Sequence, residues 1–423
     1  MLGLSKNISA ISVCIFLAAC GGGGNTGTSN VSGASSSAGV TSSDSTNTPA
    51  GTASTPTSSS TGSGITANGS SPDIATRWAI KEIPPSSSSL GTYYQDLNDA
   101  GDAVSKYTIA FNSNALITSG VGIAYADGRV VNLGTMQWDT AYGIAINNSG
   151  QLAITGRKGI ASPSGPAYKM GRSAICTNGS LTEIPTPTIA GIDPANVDVN
   201  ATDLNNSGNA VGYSQYHDAA GATMYRAFVF ANGSRTDISP PAGALSSRAN
   251  AISDTDIITG DSIFPDGSTK AFVYRAGTTT NLGSLPGYAS STGSDVNNNG
   301  QIAGYVFNLS NSFAINMRPF IYADGVMKEI PLPVAGSSGK ATGINSAGQV
   351  VGVFSANANL FPYAENSAFL YSGGKTIDLN QLPEVLAAGI KITSAEAINN
   401  NGQILVSDSS ASVLKTYLLS PVQ

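Results

Sequence analysis

The 423-residue sequence holds one histidine, three cysteines and two tryptophans, and only 11% of its residues are charged. Soluble domains typically carry about 25% charged residues. A single histidine, His217, excludes a multi-histidine metal site within one chain, and any histidine-based triad would rest on that one residue. His217 reads as a surface-loop residue. Few lysines and arginines and a net charge of −6 argue against nucleic acid, which is bound by cations that neutralise phosphates. No glycine-rich phosphate loop stands between a strand and a helix. Helical periodicity is absent, and Gln381 to Ala388 can form at most one short helical turn. Beyond the first residues, no apolar run approaches the roughly 20 residues of a membrane span.

The polarity comes instead from Ser, Thr, Asn and 49 glycines. Lys6 precedes an apolar stretch from Ile8 to Ala19. That length suits a signal-peptide h-region and is too short to span a bilayer. The stretch ends in Leu17-Ala18-Ala19-Cys20, which resembles a bacterial lipobox. The resemblance implies cleavage after Ala19 and lipidation (palmitate included) of Cys20, so that the lipid membrane is a partner. Gly21 in place of Asp implies sorting to the outer membrane or cell surface. Residues 20–74 form a Ser/Thr/Gly-rich segment in which Asp44 is the only charge before Asp73. Such a composition buries too little apolar surface to offset ordering entropy, so a disordered tether is expected. With Cys14 in the signal and Cys20 acylated, only Cys176 remains and no internal disulfide can form. Cys176 reads as a small core residue at the position of Val229, Val273 and Leu370.

Residues 75–423 repeat. An apolar residue, Asn, two turn residues, Gly and an apolar strand recur at Asn98, Asn147, Asn205, Asn297, Asn345 and Asn399, with a degenerate copy at Ser253. The spacings run from 44 to 58 residues. Each copy is followed by a continuous apolar run such as Ala227-Phe228-Val229-Phe230, several of them ending in Asn-Gly or Gly-Gly. These dipeptides accept positive φ and suit tight hairpins. A third strand follows, as in Lys328-Glu329-Ile330. Four short strands in about 50 residues make a propeller blade. The seventh unit lacks its last strand, while Trp78 to Pro84 is a spare one whose Lys81-Glu82-Ile83-Pro84 is identical to Lys328-Glu329-Ile330-Pro331. An all-β propeller of seven four-stranded antiparallel blades, closed by the N-terminal strand, is therefore expected. An open β-solenoid is the alternative.

The paired elements resemble the HAF-repeat family of extracellular bacterial proteins. Its pattern joins an Asn-x-x-Gly-x-Val-x-Gly turn-strand to a downstream His-Ala-Phe strand. The match spans residues 77–420. The family histidine is replaced by Arg226, Lys270, Arg318 or Ser367, and one alanine by Pro319. The resemblance implies an extracellular repeat protein and carries no reaction with it.

Asp96-x-Asn98, Asp203-x-Asn205 and Asp295-x-Asn297 invite a calcium reading. A calcium loop also needs a later acidic ligand, which Val306 and its neighbours do not supply. Asx-stabilised turns are expected instead, with no metal, no cofactor and no catalytic set to name. Loops over residues 157–172, 214–225, 307–317 and 354–367 should share one face of the ring. They carry Tyr168, Tyr216, Tyr225, Phe313, Phe361 and Tyr363 as candidate ligand-binding aromatics. The expected function is a monomeric, non-enzymatic binding or adhesion module for a glycan or an envelope protein. An enzyme acting on extracellular polysaccharide and a structural subunit of an outer-membrane complex are the alternatives.

Overall fold

The computed structural model describes residues 73–85, 91–111, 117–135, 138–160, 168–310, 313–357, 366–410 and 413–422. Cys20, the expected signal and the expected tether up to residue 72 lie outside them. The described residues fold into seven four-stranded antiparallel sheets, each in meander order. Blades 1 to 6 occupy residues 91–132, 140–183, 198–237, 246–283, 290–329 and 338–378. Blade 7 combines the last three strands of the chain with Trp78–Ile83, which pairs antiparallel with Lys415–Pro421 from Trp78↔Pro421 to Ile83↔Thr416. The arrangement is a closed ring, and the open solenoid is ruled out. Among the described residues helix is confined to Pro383–Ala388 and two short 3-10 turns, at Pro194–Asn196 and Leu379–Gln381.

The core is divided into wedges. Each gap between consecutive blades holds its own apolar cluster. Between blades 2 and 3, for example, Ile175 and Ile184 pack on Leu204, Phe228 and Phe230. Trp78 seals the closing blade against Leu382 and Val385. Its backbone N–H donates to Glu384 Oε1 at 3.2 Å and its indole N–H to the Ala75 carbonyl at 3.1 Å. Cys176 is buried, 5% exposed. Its pairing with Leu152 matches it to Phe230, Tyr274 and Tyr371, one residue away from the expected alignment with Val229, Val273 and Leu370. A one-residue slip exchanges the faces of a strand; burial survives here because both faces of this strand are covered.

The repeated Asn is explained by two sets of hydrogen bonds. Within its own turn, Asn345 Oδ1 accepts from the backbone N–H of Ala347 and Gln349 at 3.1 and 3.0 Å. Its amide Nδ2 then crosses to the next blade and donates to the Asn399 carbonyl at 3.1 Å. Equivalent crossings at 2.9–3.3 Å link Asn98 to Asn147, Asn147 to Asn205, Asn205 to Ser253, Asn297 to Asn345, and Asn399 back to Asn98. The ring is broken only at blade 4. Ser253 has no amide to extend, and Asp254 N–H and Thr255 Oγ1 reach Asn298 instead. The next residue in six of the seven turns builds a second chain of bonds. The N–H of Asp99, Asn148, Asn206, Asp254, Ser346 and Asn400 each donates to the side-chain oxygen of its counterpart one blade on.

The innermost strand of every blade also carries a bulge two to three residues before the turn Asn or Ser253. The bulge brings its backbone close to the second strand. At Gly260 a Cβ would stand 2.0 Å from the Arg248 carbonyl oxygen, so the last glycine of the repeat pattern has no room for a side chain. A Cβ at Gly212, Gly304 or Gly352 would stand 2.0–2.2 Å from the equivalent carbonyl of its own blade, that of Asn200, Thr292 or Lys340.

Asn399→Ala removes the ring-closing donor and leaves the Asn401 and Gln403 backbone N–H groups without their acceptor, while the Asn98 carbonyl keeps only the Gly101 N–H. Each orphaned buried group costs about 1–3 kcal/mol. Urea unfolding should show a loss of about 3 kcal/mol; a midpoint equal to that of the parent would contradict the role assigned to the ring.

Candidate functional site

Equivalent positions on the seven innermost strands form successive rings around the channel. At the turn end, the residue two before the turn Asn (Ser253 in blade 4) is Asp96, Ala145, Asp203, Ala251, Asp295, Gly343 and Ala397 in blades 1 to 7. Each aspartate reaches the following blade. Asp96 accepts from Ile146 N–H at 2.9 Å, Asp203 from Ile252 at 2.8 Å and Asp295 from Ile344 at 2.7 Å. The receiving blade carries Ala or Gly at the same position, which leaves space for the carboxylate. With the Asn turns, these residues line a polar cavity of about 150 Å3.

The Asx turns expected from the sequence are present: Asn297 Oδ1 accepts from Asn299 and Gln301 N–H at 3.1 and 3.0 Å. The aspartates that invited a calcium reading bridge blades. Among the described residues no group of three His, Cys, Asp or Glu side chains is placed to hold a metal ion.

The loop end of the channel has different chemistry. Five residues before the turn Asn (Ser253 in blade 4), the ring reads Tyr93, Tyr142, Asn200, Arg248, Thr292, Lys340 and Ser394. Around Arg248 the polar and aromatic groups converge. Its Nε and Nη2 donate to Asp261 Oδ2 at 3.1 and 2.7 Å. Its Cζ lies 4.9 Å from the centre of the Tyr225 ring, which meets Tyr213 edge-on at 5.6 Å. Asp261 is 2% exposed and also accepts from Asn250 Nδ2 at 3.3 Å. Burial opposes the charge on Arg248, but the Asp261 carboxylate outweighs it and raises the guanidinium pKa further. Burial, then Asp261, raises the phenol of Tyr305 in the next blade.

Across the ring, burial raises the Glu396 carboxyl against hydrogen bonds from Tyr93, Ser394 and Ser407. Glu396 Oε1 has no hydrogen-bond partner. Lys106 Nζ sits 4.3 Å over the Tyr93 ring.

Of the six aromatics expected to bind ligand, the structure brings Tyr225 into this cluster. Tyr216 pairs with Met224 and, one residue along from Gln215, points to the other face of its strand. The segments carrying these residues were expected to be loops; they are largely strand. Tyr216 lies in Ala210–His217 and Tyr225 in Thr223–Ala231. Tyr168 opens Tyr168–Thr177 and Phe313 opens Phe313–Ala323. Ladder pairing persists beyond the blade core in these hairpins, as in Ile160↔Tyr168 and Ser310↔Phe313. Phe361 and Tyr363 lie outside the described residues. His217 is exposed as expected, but it ends a strand and its Nδ1 meets Thr223 Oγ1 at 3.3 Å. With Arg157, Asp193, Asn196 and Asp198 it lines a 430 Å3 cavity at the junction of blades 2 and 3.

Tyr213, Arg248 and Asp261 carry no motif. The available signal was the ring position itself, where Arg248 and Lys340 stand among uncharged residues once the repeats are aligned on their turns.

The three turn-end aspartates couple stability to pH. Burial, with repulsion from Asp203 and Asp295, raises Asp96 to about 8 against the hydrogen bonds from Ile146 and Leu97. Burial raises Asp203 to about 6, and burial with repulsion from Asp203 raises Asp295 to about 7. Between the ordinary carboxyl range near 4 and these values, the folded chain holds protons that the unfolded chain has released, so stability falls as pH rises through that window. The melting temperature should drop from pH 5.5 to pH 8.5, and Asp96→Asn should flatten the slope. A melting temperature that rises over this range would contradict the assignment.

No family model matches the chain, and no curated protein matches it. Among solved structures it is similar to the β-propeller domain of the Trilobed protease from Pyrococcus furiosus, with a TM-score of 0.47 and 9% identity over 79% of this chain and 96% of that one. It is similar to a prolyl endopeptidase with a TM-score of 0.48 and 11% identity, over 79% of this chain and 51% of that one. An oligogalacturonate lyase from Vibrio parahaemolyticus gives a TM-score of 0.45 and 10% identity over 82% of this chain and 97% of that one. Likeness of this degree concerns the propeller and carries no activity to this chain.

Proposed function

We propose that this chain is a lipid-anchored extracellular repeat protein of the cell envelope whose propeller binds a glycan without transforming it. The observation that carries the reading is the Tyr213–Tyr225–Arg248–Asp261 cluster at the loop end of the channel. Aromatic faces pack against the apolar faces of sugar rings, and fixed donors and acceptors beside them hold hydroxyl groups. The Arg248–Asp261 pair is already locked before a ligand arrives, which lowers the ordering cost of binding. The lipobox at Cys20 and the resemblance to HAF repeats support placement at the outer membrane or cell surface.

One observation favours an enzyme acting on polysaccharide: Glu396, a carboxyl raised by burial beside Tyr93. A raised carboxyl is the state a general acid needs. Turnover of a polysaccharide that Glu396→Gln abolishes would favour that reading over simple binding.

Tyr225→Ala should weaken glycan binding by about 30-fold, the effect of losing one aromatic anchor, in a chain that still unfolds cooperatively; titration calorimetry on array hits measures it. Failure of every glycan to bind, with an envelope protein captured by crosslinking, would replace the glycan by a protein ligand. Cys20→Ser should move the protein from the membrane fraction to the soluble one. Retention on the membrane would remove the anchor from the proposal.

A further inference from the structure

We infer that the loop end of the channel selects an anionic glycan, bearing carboxylate or sulfate groups, and that Lys340 and Arg248 read its charge. This rests on the glycan-binding reading of the same site. The two cations occupy the same ring position in blades 6 and 4, and no acidic residue occupies that position in any blade. Lys340 is half-buried, and among the described residues its ammonium makes no hydrogen bond or ion pair. An ammonium without a bonded acceptor is free to donate to an incoming anionic oxygen. Lys340 acts electrostatically on Glu396, whose Oε1 is buried without a hydrogen-bond partner and whose charge burial disfavours.

Arg248 spends Nε and Nη2 on Asp261. Its Nη1 donors have no described acceptor, so they can take an anionic oxygen. Tyr225 beside Arg248 supplies an aromatic face for the sugar that carries the anion.

The opposite end reinforces the selection. Asp96, Asp203 and Asp295, with Asp99 and Asp254, line the turn-end cavity. The channel is therefore basic where the aromatics lie and acidic where the turns close it. The carboxyl groups of the turn end offer an anionic group no cationic partner, so the loop end is where it is held.

Titration of the full chain with polygalacturonate, chondroitin sulfate and neutral dextran of matched length tests the inference. The anionic polymers should bind at least about tenfold more tightly than dextran, the worth of one charge-assisted hydrogen bond, and the difference should shrink at high salt. Binding of polygalacturonate alone would identify a carboxylate reader, and preference for chondroitin sulfate a sulfate reader. Lys340→Gln should cost about tenfold in affinity for the anionic polymer, and Lys340→Glu should abolish its binding, each with an unchanged melting temperature because Lys340 holds no partner. Equal binding of dextran, or Lys340→Glu without effect, would overturn the inference and leave glycan binding standing. A chain that binds no glycan at all loses both.

Discussion

The Asn amide that crosses from each turn to the next is the contact on which the rest of this ring depends. One side chain does two tasks at once. Its oxygen closes its own turn by accepting two backbone N–H groups, and its nitrogen ties that turn to the carbonyl of the following blade. Because Asn399 returns to Asn98, the chain of bonds runs unbroken from Asn297 around to the Ser253 carbonyl and is open only between blades 4 and 5. The apolar wedges between blades supply most of the burial, but they are not directional. The amides set the angle and depth at which each wedge meets its neighbour.

Constraints follow inward from that contact. Fixing the turns places the innermost strands side by side, and the bulge in each brings its carbonyl against the second strand. Glycine at 212, 260, 304 and 352 is the consequence. The alternation of aspartate with alanine or glycine belongs to the same geometry, since a carboxylate that reaches into the next blade needs a small residue there. Three carboxyls held in this way stand near one another in a confined channel, and their raised pKa values record the cost. The turn end is thus a structural device, although it is a polar concavity.

The loop end is free of these obligations. Its ring residues differ from blade to blade, as expected where the fold imposes no common side chain. Arg248, Asp261, Tyr213 and Tyr225 meet there from two blades, and the ion pair keeps the guanidinium oriented toward the Tyr225 face. Lys340 shares the ring position without sharing the partner, and this difference between two equivalent cations is what makes the site asymmetric.

Local chemistry was legible in the residues alone. Asn and Gly at fixed offsets specify an Asx turn and a positive φ whatever surrounds them, and the seventh unit without its last strand required the spare one at Trp78. These features depend on neighbours in sequence, and they yielded the blade, the number of blades and the closure. Where the expectation of loops failed, at Tyr168, Tyr216, Tyr225 and Phe313, the cause was ladder pairing between hairpin arms, which composition does not reveal. The site needed more than local chemistry. Arg248 meets Tyr225 only because one strand of blade 4 passes beside one strand of blade 3, and Asp96, Asp203 and Asp295 influence one another only across a channel. The sequence by itself determined the repeat and the ring; the tertiary structure decided which side chains converge, because convergence depends on distances between blades that no spacing along the chain encodes.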